Sequence, residues 1–356
     1  MDSGVKKPGV TSSQVAEHAG VSQSAVSRTF TPGASISPKT RSKVLASAKV
    51  LGYRPNAIAR SLITNRSRII AVVMAYLENL FYPDVLEELG RALAAENYHL
   101  LLFTGFMDRD SDPVFDQLMQ YRVDGIILAS TSLSSELSEE CATAGIPVVL
   151  FNRTTERDAV SSVTTRNREG GRRIAEFLVA GGHRSFGYIA GLANSSTNRD
   201  RQAGYLEALA ALGFHDVAIE TGNYSRTDAE AAARLMFAQA NRPEALFVAN
   251  DHMAVAVMDV ARHEFGLRIP EDLSIVGYDD VGPARWTSYG ITSMSQPLKR
   301  MVESTVDILM DQIASGEIEA EHRILTGDLV VRSSARLPPT GMIERDGQQI
   351  YRPKEA

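Results

Sequence analysis

Apolar residues change their rhythm twice along this chain. Over residues 11–51 they recur every three or four positions: Val15, Ala16 and Ala19, then Val26, then Val44, Leu45, Ala48 and Leu51. That spacing predicts three short amphipathic helices. The punctuation agrees, with Thr11, Ser22 and Ser37-Pro38 as helix starts and Gly20 and Gly52 as stops. Helix, tight glycine-containing turn, helix is the helix-turn-helix unit, whose second helix enters the DNA major groove. Residues 53–68 then read as a linker with one short helix, capped by Asn56 and carrying Ile58 and Leu62 on one face. At about two turns that helix is too short to stand alone in water.

From Ile69 the pattern becomes short continuous runs divided by amphipathic stretches. "IIAVVMA" (69–75), "LLLF" (100–103), "GIILAS" (125–130) and "PVVLFN" (147–152) read as buried parallel strands. "FGYIAG" (186–191), "VAIETG" (217–222), "ALFVAN" (245–250) and "LSIVGY" (273–278) form a second set. Helices are expected near 83–97, 167–181, 199–213, 227–241 and 252–265. Two βα series predict two doubly wound lobes, which bind ligands beyond the carboxyl ends of their strands.

Charge sharpens this division. The net charge is −6, yet residues 1–68 hold eleven Lys and Arg against Asp2 and Glu17, a net +9, which leaves −15 on the remainder. A basic head on an acidic body fits a head that meets a polyanion, although a solvated basic arm would show the same count. The lone Cys141 forms no intrachain disulfide, and "MDSGVKKPGVTSSQ" has no apolar core behind its lysines. With no run of 18 apolar residues, a membrane span is not expected, and the chain reads as cytoplasmic.

Catalytic signatures are missing. The sequence has no G-x-S-x-G, G-x-G-x-x-G, Walker or H-E-x-x-H pattern, and its seven histidines are scattered without metal-ligand spacing. No enzyme, metal or cofactor is expected.

"VAEHAGVSQSAVSR" (15–28), "ISPKTRSKVLASAKVLGYRPNAIARSL" (36–62) and "VANDHMAVAVMDVARHEFGLRIPEDLSIVGYDD" (248–280) together resemble the LacI/GalR family of bacterial transcription regulators, over about residues 10–335. The resemblance implies an all-α helix-turn-helix head (10–52), a hinge helix and linker (53–68) and an effector-binding, dimerising α/β body (69–336) of the periplasmic-binding-protein type. Lobe one would take about 69–165 plus 297–335, lobe two about 166–296, and 337–356 would be a tail. That tail lacks leucine heptads, so a homodimer on a palindromic operator is expected rather than a coiled-coil tetramer.

The resemblance also places functional residues. Gln23, Ser24 and Arg28 fall at base-reading positions, where Gln suits adenine and Arg guanine. Thr11, Ser22, Ser27, Lys39, Thr40 and Arg41 are expected on phosphates. Where many relatives continue "VSRVLN", this chain has "VSRTFTP", which puts the turn after the recognition helix in question. In the hinge, Asn56 caps, Ile58 is expected to meet its dimer mate, Ala59 allows close approach, and Leu62 is expected to wedge into the minor groove; capping the core of the first lobe is the alternative role for Leu62. Candidate effector residues are Asn79, Phe81, Tyr82, Asn152, Arg201, Tyr224, Asn250, Asp251 and Asp279, a set suited to the hydroxyls of a sugar or sugar derivative. For Asn250 and Asp279, capping or inter-lobe structure is the alternative role. Leu298 stands where the family often has an aromatic. Arg153, Arg166, Arg199 and Arg201 near strand ends raise the alternative of an anionic effector such as a sugar acid or phosphate. Ligand would change the angle between the lobes and so unite or separate the hinges, whether to release the operator or to promote its binding.

Overall fold

The structure is a computed structural model and describes residues 10–31, 33–54, 66–75, 77–104, 118–129, 141, 143–155 and 159–353. The chain divides into two compact units, residues 1–67 and 68–356. The hinge residues Asn56, Ile58, Ala59 and Leu62 lie outside the described residues.

In the first unit three helices form where the periodicity places them: α1 (Ser12–Ala19), α2 (Gln23–Thr29) and α3 (Pro38–Leu51). Each begins with a side chain that satisfies backbone donors the helix leaves free. Thr11 forms a capping box with Gln14, whose Oε1 accepts from the Thr11 N–H at 2.9 Å. The Ser22 hydroxyl accepts from Ala25 N at 3.2 Å, and that of Ser37 from Thr40 N at 3.1 Å. Gly20 ends α1 at φ 64°, a left-handed conformation that glycine adopts without Cβ strain. Val15, Ala16, Ala19, Val26, Val44 and Ala48 pack as the core.

The second unit begins with β1 (Ile69–Met74), α4 (Phe81–Ala95), β2 (His99–Thr104), β3 (Gly125–Ala129), β4 (Val148–Phe151) and β5 (Ser161–Thr165). It continues with α5 (Asn167–Ala180), β6 (Phe186–Ala190), α6 (Ser196–Ala211), β7 (Val217–Thr221), α7 (Arg226–Phe237), β8 (Ala245–Val248), α8 (Asp251–His263), β9 (Ser274–Asp279) and β10 (Thr292–Ser295). After α9 (Leu298–Ser315) come β11 (His322–Leu325), β12 (Leu329–Val330), β13 (Met342–Arg345) and β14 (Gln348–Tyr351).

Two sheets result. The first has the order β11-β5-β4-β3-β1-β2 and is parallel throughout. The second has the order β13-β14-β12-β10-β9-β8-β6-β7, parallel from β7 to β10 and antiparallel beyond. In β1 the residues Ile70, Val72 and Met74 face one cluster while Ala71 and Val73 face another, so both faces are buried and the run reads as continuous. The order reverses at β1, which lies between β2 and β3, and at β6, between β7 and β8. A crevice opens at such switch points.

Three expectations need correction. "LLLF" is not a buried run: β2 is an edge strand with Leu102 37% exposed, because an edge has a neighbour on one side only. The return to lobe one ends at Leu325, not at 335, since β12 pairs with β10 of the second sheet. Residues 337–356 are not merely a tail: β13 and β14 form an antiparallel hairpin that extends that sheet, and Tyr351 meets the Phe177 ring edge-on at 5.2 Å. Polar strands went unanticipated for a related reason. β5 reads "SSVTT" yet is buried end to end, because the Ser161 hydroxyl accepts from Gln312 Nε2 (3.0 Å) and Glu321 N (3.1 Å).

Candidate functional site

Eight of the nine candidate effector residues meet in one cleft between the lobes. A space of about 370 Å³ is lined by Asn79, Phe81, Tyr82, Asn152, Arg201, Tyr224, Asn250 and Asp279, together with Arg153 and Thr197. Each stands at or beyond the carboxyl end of a strand or in the first turns of the following helix, as a doubly wound sheet demands. Three of them depart from ordinary backbone: Asn152 has φ 58°, Tyr224 φ 57° and Asp279 φ 106°. Left-handed geometry at non-glycine residues costs free energy and clusters at ligand sites.

Arg201 organises the floor. α5 and α6 approach so closely at Gly171 and Gly204 that a Cβ on either would overlap a carbonyl of the facing helix, Arg201 O and Arg168 O respectively. That approach leaves the Arg201 side chain 2% exposed. Its Nε donates to Asn167 Oδ1 (2.9 Å), Nη1 to Ala249 O (2.6 Å) and Nη2 to Asp279 Oδ1 (3.3 Å), while the guanidinium lies 3.6 Å from the Tyr278 ring centroid. Burial alone would lower its pKa; Asp279 and the surrounding tyrosines outweigh burial and leave it raised. Burial pushes Asp279 up to about 6, although Arg201 and Gln296 Nε2 (2.7 Å) hold it down. The pair is thus mostly ionised at neutral pH, and its charges largely cancel.

The walls carry unused hydrogen-bonding capacity. Asn250 caps α8 through Oδ1, which accepts from Met253 N at 3.0 Å, and so its Nδ2 is left without a partner. Across the cleft Asn152 Oδ1 is likewise buried and unpartnered. Unpaired buried groups are costly unless a ligand or water completes them. Tyr224 lies over Gly191, where a Cβ would enter its ring, and its hydroxyl pairs with Thr197 Oγ1 at 3.2 Å. Phe81 stacks on Phe151 with centroids 6.4 Å apart, so its ring is braced from lobe one.

Asp251 does not join them. It is wholly buried behind the cleft, where its carboxylate accepts from Ser293 Oγ (2.8 and 2.9 Å) and Val281 N (3.1 Å). Burial, with Asp279 and Asp280 nearby, pushes its pKa well up. Neighbours in sequence at a helix start point to different sides, which separates Asp251 from Asn250. The arginine cluster also disperses: Arg199 lines a different surface groove and pairs with Asp200 at 3.3 Å, Arg166 lines two further pockets, and only Arg153 and Arg201 reach the cleft. Leu298 packs against the core and is not among the lining residues. Thr197 was missed; it sits one turn before Arg201 on the same helix face, a spacing that could have revealed it.

In the head, Gln23, Ser24, Ser27 and Arg28 project from α2 into solvent, and Lys39 and Arg41 from α3. Several candidate contacts also hold the fold. Thr11, Ser22 and Thr40 belong to the helix caps, and Arg41 Nη2 donates to Thr29 O at 3.3 Å, at the end of α2. The altered "TFTP" stretch ends α2 at Thr29 and turns Phe30 onto Tyr53, with centroids 5.7 Å apart. Among the described residues no group of three His, Cys, Asp or Glu could hold a metal, and no helix is long and apolar enough to cross a membrane.

Comparison with known proteins agrees with both parts. Residues 13–56 match the family described as bacterial regulatory proteins, lacI family, and residues 175–335 match a periplasmic binding protein-like domain. The transcriptional regulator CelR of Thermobifida fusca is 32% identical over 333 residues, covering 91% of this chain and 98% of its own. A CelR–cellobiose complex superposes with TM-score 0.69 at 30% identity, over 92% of this chain and 100% of the other. The lac repressor dimer bound to operator and the anti-inducer ONPF gives TM-score 0.81 at 27% identity, over 92% and 99%. These relatives are transcriptional regulators, not enzymes.

Proposed function

Since the chain belongs to the lacI family of bacterial regulatory proteins, we propose that it represses transcription as a dimer on a palindromic operator and responds to a neutral sugar or sugar derivative held between its lobes. The observation that carries the effector class is the cleft itself. Its one deeply buried cation is already neutralised by Asp279, with each guanidinium nitrogen donating to Asn167, Ala249 or Asp279, while Asn152 offers a free acceptor and Asn250 a free donor. Hydroxyls, which both donate and accept, match that pair. Phe81, Tyr82 and Tyr224 supply apolar faces for the ring C–H groups. The sugar in the CelR–cellobiose complex is consistent with this class.

In the head, Gln23, Ser24 and Arg28 read base edges, and Lys39 and Arg41 with the hydroxyls of Thr11, Ser22, Ser27 and Thr40 meet phosphates. The hinge residues Asn56, Ile58, Ala59 and Leu62 complete the contact in the minor groove. Ligand that favours one lobe angle shifts the population of DNA-competent dimers.

A second reading rests on Arg153, which lines the cleft with no ion pair to any described residue. It would accept a sugar acid or sugar phosphate. Thermal-shift screening of the full chain against neutral mono- and disaccharides, uronic and aldonic acids, and sugar phosphates separates the two. Stabilisation by neutral sugars is expected; stabilisation by the anionic set alone would transfer the assignment to Arg153.

A further inference from the structure

We propose that Ser12 is a positioning residue for DNA reading, holding the Gln23 amide in the orientation that discriminates a base. The inference rests on the assignment of Gln23 as a base reader. Ser12 opens α1 and Gln23 opens α2, and the helix-turn-helix packing brings the two helix starts together. There Gln23 Nε2 donates to Ser12 Oγ at 3.0 Å, a bond across eleven residues of sequence.

The chemistry of the amide makes this bond useful. Recognition of adenine needs Oε1 to accept from the exocyclic amine and one Nε2–H to donate to N7. The second Nε2–H has no role in that pairing, and it is the one available to Ser12. A glutamine held this way gives up rotamer freedom before DNA arrives, so less ordering remains to be done on binding. The surrounding hydroxyls cannot substitute. Thr11 is engaged with Gln14, and Ser22 with Ala25 N and, at 2.9 Å, with Ser24 Oγ. Ser24 is tied back to the cap in the same way, which leaves Gln23 and Arg28 as the long side chains of α2 that project outward.

The test uses the full chain and a randomised palindromic duplex library, with base preferences read by sequencing the bound fraction. Gln23→Ala should erase preference at one position of each half-site. Ser12→Ala should weaken preference at that same position by about fivefold, the scale of one ordinary hydrogen bond. It should leave affinity for a scrambled duplex and its salt slope unchanged. Ser12→Thr, which retains the hydroxyl, should restore the preference. The inference is overturned if Ser12→Ala keeps the preference intact, or if it weakens all sequences equally with a shallower salt slope, the mark of a phosphate contact. If Gln23→Ala alters no preference, the base-reading assignment itself falls, an outcome distinct from the other two.

Discussion

Thr11, Ser22 and Ser37 in the head satisfy backbone groups three residues away, at the surface. Arg201 in the cleft reaches partners 34, 48 and 78 residues away, with water excluded. Among the described residues of 10–54 no Lys or Arg is ion-paired, so the head leaves its charges for a polyanion even where Arg41 also donates to Thr29 O. The cleft pairs its buried charges, Arg201 with Asp279, and apart from Arg153 at its lining presents neutral hydrogen-bonding atoms to a ligand. The contrast is between solvated long-range electrostatics, which act through net charge and yield to salt, and buried pairing, where removing one partner strands the other.

The largest test removes Arg201. Arg201→Ala leaves Asp279 buried without its counter-ion, and should cost about 3–5 kcal/mol in urea unfolding of the body as well as abolishing effector binding. A loss below about 1 kcal/mol would mean that the cleft is solvated like the head. Salt comes next. On the proposed assignment, Lys39 and Arg41 from each of two heads would make four phosphate contacts, a slope near −3.6, so operator affinity should fall about a hundredfold between ~50 and ~200 mM salt. Effector affinity measured over the same range should barely move; an equally steep fall would favour the anionic ligand.

A pH series probes the cleft alone. The folded pKa of Asp279, about 6, lies above its ordinary 3.8, so the native state holds the extra proton between those values. The stability this group contributes is present below about pH 4 and lost as pH rises through 6. Asp279→Asn should therefore gain roughly 2–3 kcal/mol relative to the parent chain from pH 4 to 7, read from urea midpoints. The comparison must be with the parent because His183, buried and lowered to about 4 from 6.5, has the opposite sign: its contribution is present above pH 6.5 and lost as pH falls through 4. A constant difference between the two proteins across the series would refute the buried pairing. The smallest effect belongs to the head. Thr11→Ala should release about 1 kcal/mol of protection in the first-turn amides of α1 by hydrogen exchange, with the cleft unaffected.

Legibility followed the same divide. Thr11, Gly20, Ser22, Ser37 and Gly52 announced their helices because a cap is a bargain between residues three or four apart, and such spacings stand open in a sequence. The strands of β1, β3 and β4 were readable because burial on both faces demands unbroken apolar runs. β5 and β10 were not, since their serines and threonines are satisfied by groups from distant segments. Eight of the nine effector candidates named through the family resemblance reach the cleft, but their division of labour could not be read. Nothing adjacent to Asp251 shows that it faces Ser293, while Asn250 beside it faces the cleft.

The order of elements, the basic head, the caps and the two βα series were determined by the sequence itself, because periodicity and local hydrogen bonding need only near neighbours. Tertiary structure alone decided that Arg201 is spent on Asn167, Ala249 and Asp279, that Arg199 and Arg166 stand apart from it, and that residues 342–351 complete the second sheet. Those outcomes depend on which distant groups share a dry volume, and in such a volume a charge takes whatever partner the packing brings within reach.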